Sequence, residues 1–370
     1  MNRVLSYISL KTLVLIILAI LCVILAGVLE FTETHMKRDL IDQGMAERWS
    51  TNKDAAHISA FYAEGAVENS SYFRAIGVEL DQALVTSSIT PKTENEEARL
   101  WIDAVSRGGK VSLVSDLGRA EINAIGVKGE FFQFHPLLLV NGTYISEANP
   151  MKDGIMIDEN TAWQLFGSSD VTGMQVTING VPHIIIGVFK RPEGRIQEAA
   201  GLEKSICFLG IDSLEKYGNA KGGYFYEIVL PNPIKGFGLS TMNQLLKAET
   251  MEVKIVENSS RYQLLPLLKV IQNFGTRSMS SQSILYPYWE NIAKGYEDIF
   301  ALFLVIKTVL LIYPLCMLVV VSIQLYRRKT WSVAGILHWL GEKHYEMGTK
   351  KMIKKQEKER QEEVEENEKI

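Results

Sequence analysis

Few side chains in this sequence are spaced for catalysis. Asp153, Asp158 and Glu159 stand close enough to suggest paired carboxylates, which could divide acid and base roles. Their context favours charges in a surface turn and at a helix N-terminus, where acids complement the helix dipole. His135 and His183 lie in apolar, strand-like surroundings without a second ligand at a usual spacing, so both read as structural histidines rather than metal ligands. The six histidines are scattered singly, with no His-x-x-x-His or Cys-x-x-Cys pair, which gives no metal site and no haem site. SRGGKVS and GNAKGGYF lack the glycine-lysine spacing of a phosphate-cradling loop, and neither a G-x-S-x-G elbow nor an H-E-x-x-H pair occurs. The chain is therefore expected to be non-enzymatic and to need no cofactor. Asn69, Asn141 and Asn258 begin N-x-[ST] triplets, a pattern that arises often by chance.

Lys307 is the side chain that its surroundings explain least. It lies in the apolar run Ile299–Leu325, where an ionisable group is by default a functional hypothesis and where snorkelling to the outer surface is the bland alternative. Pro314 in the same run should kink the helix or loosen its hydrogen bonds, which neighbouring helices then re-satisfy.

Two such runs organise the chain. Thr12–Phe31 carries one acid, at its end, and has the ~20 residues needed to cross a bilayer; bulky residues persist past the ~7–15 of a signal-peptide core. Arg3 and Lys11 precede the first run and Arg327, Arg328 and Lys329 follow the second, so both termini read as cytoplasmic and the middle as external. Tyr286, Tyr288, Trp289 and Tyr296 fit an aromatic belt at the outer interface, the alternative being a buried aromatic cluster. The expected layout is a cytoplasmic N-terminus (1–11), a span (12–31), an external domain with helical stalks (32–298), a span (299–325) and a cytoplasmic segment with a charged tail (326–370). The net charge of −4 gives no electrostatic case for nucleic acid. Of three cysteines, Cys22 and Cys316 fall in the spans, which leaves Cys207 alone outside them and permits no disulfide within the domain.

Within the external part, residues 57–66 alternate as a strand, and residues 70–85 have helical spacing with Phe73, Ile76, Leu80 and Leu84 on one face. VSLV and EINAIGV read as short strands. GIMIDENTAWQLFG begins as a strand and becomes a helix, capped by Asp158 or Asn160, with Ala162, Trp163, Leu165 and Phe166 as its apolar side and Gly167 as its C-cap. Two strands then flank a tight turn at Asn179-Gly180, the strongest short hairpin signal. Residues 222–233 and 251–259 read as strands and residues 238–248 as a helix. LLPLLKVIQNF is read as a helix that returns the chain to the membrane.

The stretch DGIMIDENTAWQLFGSSDVTGMQVTINGVPHIIIGVF resembles the periplasmic core domain of MacB-like ABC transporter permeases, the FtsX-type group. The matching positions are Leu165, Phe166 and Gly167, then Asp170 and Gly173, then Gly180, Gly187 and Val188; residues 131–146 resemble the family's lead-in. YEIVLPNPIKGF and residues 273–298 are similar, more loosely, to a Gram-positive branch. The resemblance implies an α+β extracytoplasmic domain between two transmembrane helices, in a permease-type subunit that pairs with a cytoplasmic ABC ATPase. Family permeases carry four spans and work as dimers; this sequence lacks the last two, so a second permease subunit or a homodimer partner is expected beside the membrane lipid. Ile336, Leu337, Leu340 and Tyr345 stand where the family's cytoplasmic coupling segment would be, an assignment that shares its apolar stripe with an interfacial anchor helix. The alternative reading is a non-transporting membrane-anchored scaffold or sensor built on the same domain.

Overall fold

The computed structural model describes residues 10–52, 54–90, 99–277 and 284–328, with 342, 343, 345, 347 and 349. The chain divides into two units: residues 28–307, and the paired segments 1–27 and 308–370. Two helices, Lys11–Asp39 and Tyr288–Gln324, are long and apolar enough to cross a membrane. They lie within α1 (Leu10–Asp39) and α11 (Tyr288–Arg328). In the smaller unit the Tyr313 hydroxyl donates to the Leu15 carbonyl at 3.0 Å, so the two helices touch there. Pro314 lies inside α11, which continues through it as one helix.

The larger unit is built on a ten-stranded mixed sheet. Its strands are β1 (Ala55–Tyr62), β2 (Ile102–Val114), β3 (Arg119–Gly129), β4 (Leu138–Gly142), β5 (Gly154–Asp158), β6 (Gln175–Ile178), β7 (Val181–Lys190), β8 (Ile206–Gly210), β9 (Asn219–Pro231) and β10 (Val253–Glu257). They run in the order β10-β1-β9-β2-β3-β8-β5-β7-β4, with β6 bridging β2 and β7. Most pairs are antiparallel; β3–β8 and β5–β7 are parallel.

Both faces of the central strands are covered, which is why β1 is buried at every position instead of alternating. On one face, α3 (Tyr72–Thr86) and α8 (Phe237–Leu245) pack over Ile58, Tyr62, Tyr226 and Ile228. The inward residues of α3 are Phe73, Ile76, Leu80 and Leu84, the stripe its helical spacing predicts. On the other face lie α2 (Met45–Trp49), α4 (Phe131–Phe134) and the first turns of α11, packed on Phe61, Phe225 and Val229. A third apolar cluster, around β5, β7 and β8, is closed by α5 (Glu159–Phe166) and α7 (Ile211–Tyr217). A short helix α6 (Arg195–Gln197), then α9 (Leu264–Gln272) and α10 (Phe274–Arg277), complete the unit.

The aromatic residues before the second span depart from the interfacial-belt reading. Trp289 and Tyr288 are buried, at 1% and 8% exposure, and Trp289 packs on Phe131, His135 and Phe225. Tyr286 lies edge-on to Phe61. These rings serve as core because α11 starts inside the domain, with Trp289 among Phe131, His135 and Phe225, before reaching its apolar run.

Of the two capping candidates for α5, Asp158 is the one used. Its Oδ1 accepts the Thr161 N–H at 2.7 Å, while Oδ2 accepts the Ile206 N–H and pairs with Arg191 at 3.1 Å. The side chain is 1% exposed, whereas Asn160 points to solvent. Replacing Asp158 by Ala should lower unfolding stability by about 1–3 kcal/mol, as both a cap and a buried acceptor are lost; Asn160→Ala should stay within ~0.5 kcal/mol, and denaturant titration compares them.

Candidate functional site

The sheet register places polar groups together on the face that meets α11. Ser59 stands opposite Glu227, with His57 opposite Val229, so all three side chains share that face. Glu227 is 2% exposed, and a carboxylate buried this deeply needs compensating partners. His135, which directly follows α4, approaches it at 2.5 Å through Nε2; its Nδ1 lies 3.1 Å from Asp42. The Ser59 hydroxyl donates to Glu227 at 2.9 Å, and His57 Nε2 lies 3.4 Å from the same carboxylate.

From Ser59 the network runs on toward α11. The Asn258 side-chain amide donates to the Ser59 hydroxyl at 2.7 Å, and its Oδ1 accepts from the Arg261 guanidinium at 3.3 Å. Arg261 grips Glu290 with two bonds of 2.6 and 2.7 Å and reaches Glu297 at 2.5 Å. The two-pronged guanidinium fits a carboxylate in this way and fixes orientation as well as charge. Asn258 is buried, so its N-x-[ST] triplet presents no accessible acceptor.

This one network ties the sheet to both long helices. Asp42 lies in the turn (Ile41–Gln43) that follows α1, and Arg48 of α2 donates to the carbonyls of Gln133 and Phe134 beside His135. Glu290 and Glu297 lie on α11. A second tie joins the two helices directly: Lys307 donates to Glu30 at 2.6 Å and to Glu33 at 2.5 Å, and Glu33 also pairs with Lys37. Lys307, inside an apolar run, is thus paired with two carboxylates of α1.

Charge in the network is mutually sustained. Burial disfavours a charged His135, but Glu227 and Asp42 outweigh it and push the imidazole up to about 9. Burial likewise favours a protonated Glu227, but His135 and then His57 outweigh it and hold the carboxyl far below its usual range. Arg261 is raised because Glu290 and Glu297 outweigh its burial.

The family-motif residues lie elsewhere, in the β5–α5–β6–β7 region, and shape the fold. Ala162, Leu165 and Val188 are fully buried; Phe166 packs at the edge of the same cluster, and Trp163 is 55% exposed, so it is not part of the apolar side. Gly167, Gly173 and Gly180 adopt positive φ, the first as the C-cap of α5 and the last with Asn179 in the β6–β7 turn. A Cβ at Gly187 would stand 2.5 Å from the Thr143 carbonyl, so β4 can approach β7 only at glycine. His183 is buried, its Nδ1 3.1 Å from the Val181 carbonyl. Ile336, Leu337 and Leu340 lie outside the described residues; Tyr345 is exposed. Among the described residues no cluster of His, Cys, Asp and Glu could hold a metal ion.

Sequence reasoning missed Asp42, His57, Glu227, Arg261 and Glu290. One signal was present: Glu227 interrupts the apolar run GGYFYEIVL, and a lone acid inside a central strand requires a buried counter-charge.

A mixed α/β domain is flanked in sequence by two helices long and apolar enough to cross a membrane, the layout of a membrane-anchored domain. The MacB-like periplasmic core domain family matches residues 9–217, and the chain belongs to that family. No curated protein sequence matches. Among solved structures, the periplasmic region of MacB from Actinobacillus actinomycetemcomitans is similar at 14% identity and TM-score 0.39, covering 59% of this chain and 92% of that one. The extracellular domain of the noncanonic ABC-type transporter YknZ from Gram-positive bacteria is similar at 14% identity and TM-score 0.36, covering 54% and 99%. A domain of a putative permease from Porphyromonas gingivalis gives 14% identity and TM-score 0.33, covering 55% and 89%.

The network dictates a pH profile. The His135 contribution is complete below its unfolded value of ~6.5 and is lost as pH rises through about 9. The Glu227 contribution is complete above the unfolded carboxylate value of 4.5 and is lost as pH falls. Thermal unfolding should therefore show a stability plateau between these unfolded values and an alkaline decline toward pH 9. Glu227→Gln should cost about 3–5 kcal/mol and move the alkaline decline to lower pH, because the imidazolium loses its nearest anion.

Proposed function

We propose that this chain is a permease-type membrane subunit of an ABC-type complex, in which a cytoplasmic ATPase moves the extracytoplasmic domain through its two stalk helices. The observation that supports this reading is the unbroken chain of ion pairs and hydrogen bonds from Asp42 through His135, Glu227, Ser59, Asn258 and Arg261 to Glu290 and Glu297. Packed, charge-paired elements of this kind carry a displacement of one helix into the sheet and on to the other, since neither end moves without breaking buried pairs.

In this reading the protein is non-enzymatic and sits in a Gram-positive plasma membrane, with both termini cytoplasmic because Arg3, Lys11, Arg327, Arg328 and Lys329 flank the spans. Its function is export or mechanotransmission, in company with a second permease subunit or a second copy of itself. Family membership favours the ATPase partner. The segment around Ile336, Leu337, Leu340 and Tyr345 is the proposed contact with that ATPase.

Tagged protein extracted in mild detergent should co-purify with an ATPase carrying a phosphate-binding loop, identified by mass spectrometry. Leu337→Asp or Leu340→Asp should abolish that recovery while membrane insertion persists. Undiminished recovery from both variants would overturn the coupling assignment, and absence of any ATPase from the wild type would favour the scaffold or sensor reading.

A further inference from the structure

Helix α9 is apolar on two sides. Leu267 and Val270 are buried against the domain, while Leu264, Leu265 and Leu268 are 59%, 69% and 40% exposed. Phe274, just beyond it, is 60% exposed. A contiguous apolar edge of this size on a charged domain marks a contact surface rather than scattered exposure.

The residues that lead into α9 fix its height. Lys37 of α1 donates to the Tyr262 carbonyl at 3.2 Å, and the Tyr262 ring packs edge-on against Phe300 of α11 at 5.1 Å. Phe300 is the second residue of the apolar run that begins at Ile299. Lys37 stands beyond Phe31, the end of the other apolar run, by six residues or about 9 Å of helix, and its side chain leans back toward that run. The polar layer on each side of a bilayer is roughly 5–7 Å thick. Tyr262 therefore stands level with the near ends of both apolar runs, two residues before Leu264.

We propose that α9 is an interfacial helix whose Leu264, Leu265 and Leu268 edge, continued by Phe274, seats in the outer leaflet at the boundary between headgroups and acyl chains. Lys269 is the only cation in α9, so insertion is apolar and needs no anionic lipid. This seat steadies the Arg261 end of the network, because the turn Asn258–Ser260, Arg261 and α9 follow one another within fifteen residues of chain. The inference requires only that two spans hold the domain outside the membrane and is independent of any ATPase.

The test places an environment-sensitive NBD label at Leu265→Cys or Phe274→Cys of the full chain in phosphatidylcholine vesicles, with Leu117→Cys as the reference. Cys22→Ser and Cys316→Ser remove the accessible thiols; Cys207 stays, fully buried with its thiol pKa pushed up by burial. Leu117, 76% exposed, occupies the turn at the opposite end of β2 from Ile102, which pairs with Val229 as His57 does. Labels at 265 and 274 should emit at shorter wavelength than at 117 and be quenched several-fold more by lipid carrying a nitroxide at acyl carbon 5. Water-like emission with quenching equal to that at 117 would overturn the proposal. A short-wavelength emission that the nitroxide lipid leaves unquenched would overturn it too, by placing this face under a second copy of the chain.

Discussion

A carboxylate at the centre of a sheet with helices on both sides cannot be left to itself, and Glu227 is such a group. Its desolvation is offset only by gathering partners, and the fold supplies them from three separated segments: Ser59 and His57 from the neighbouring strand, His135 from the loop after α4, and Asp42, which backs His135, from the turn after α1. Burying such a set contributes little net stability compared with an apolar core of equal volume, while breaking it is expensive. Its consequence is specificity of arrangement: the turn after α1, the end of α4 and strands β1 and β9 have one mutual geometry in which every charge is answered.

The same logic repeats toward the membrane. Arg261 answers Glu290 and Glu297, and Lys307 answers Glu30 and Glu33. Each pair bridges chain segments far apart in sequence, and each is set where a long helix meets the domain or the other helix. Helices that enter a domain through buried ion pairs behave as parts of it, and a displacement imposed on one is shared with the sheet. Apolar packing alone, being non-directional, would allow the helices to slide by small steps.

Some of this was legible in the sequence because it depends on local pattern. Two long apolar runs, the α3 stripe, the Asn179-Gly180 turn and the strand-helix passage ending at Gly167 follow from periodicity, turn chemistry and capping, each decided within about a dozen residues. The same residues carried the family likeness. Where local rules offered two answers, packing chose: Asp158 rather than Asn160 caps α5 because its second oxygen also meets Ile206 and Arg191, and Trp289 is core because α11 begins inside the domain.

The sequence alone determined that this chain carries two membrane-length helices flanking an α+β domain of MacB-like pattern, since hydrophobic length, strand and helix periods and glycine positions are written residue by residue. Only the tertiary structure decided which charges meet. Lys307 has no acid near it in sequence on its own helix face, and its partners Glu30 and Glu33 lie at the other end of the chain. Glu227 and His135 are ninety-two residues apart. Attraction between charges depends on distance through space, and sequence separation carries no information about it until the sheet has set its register.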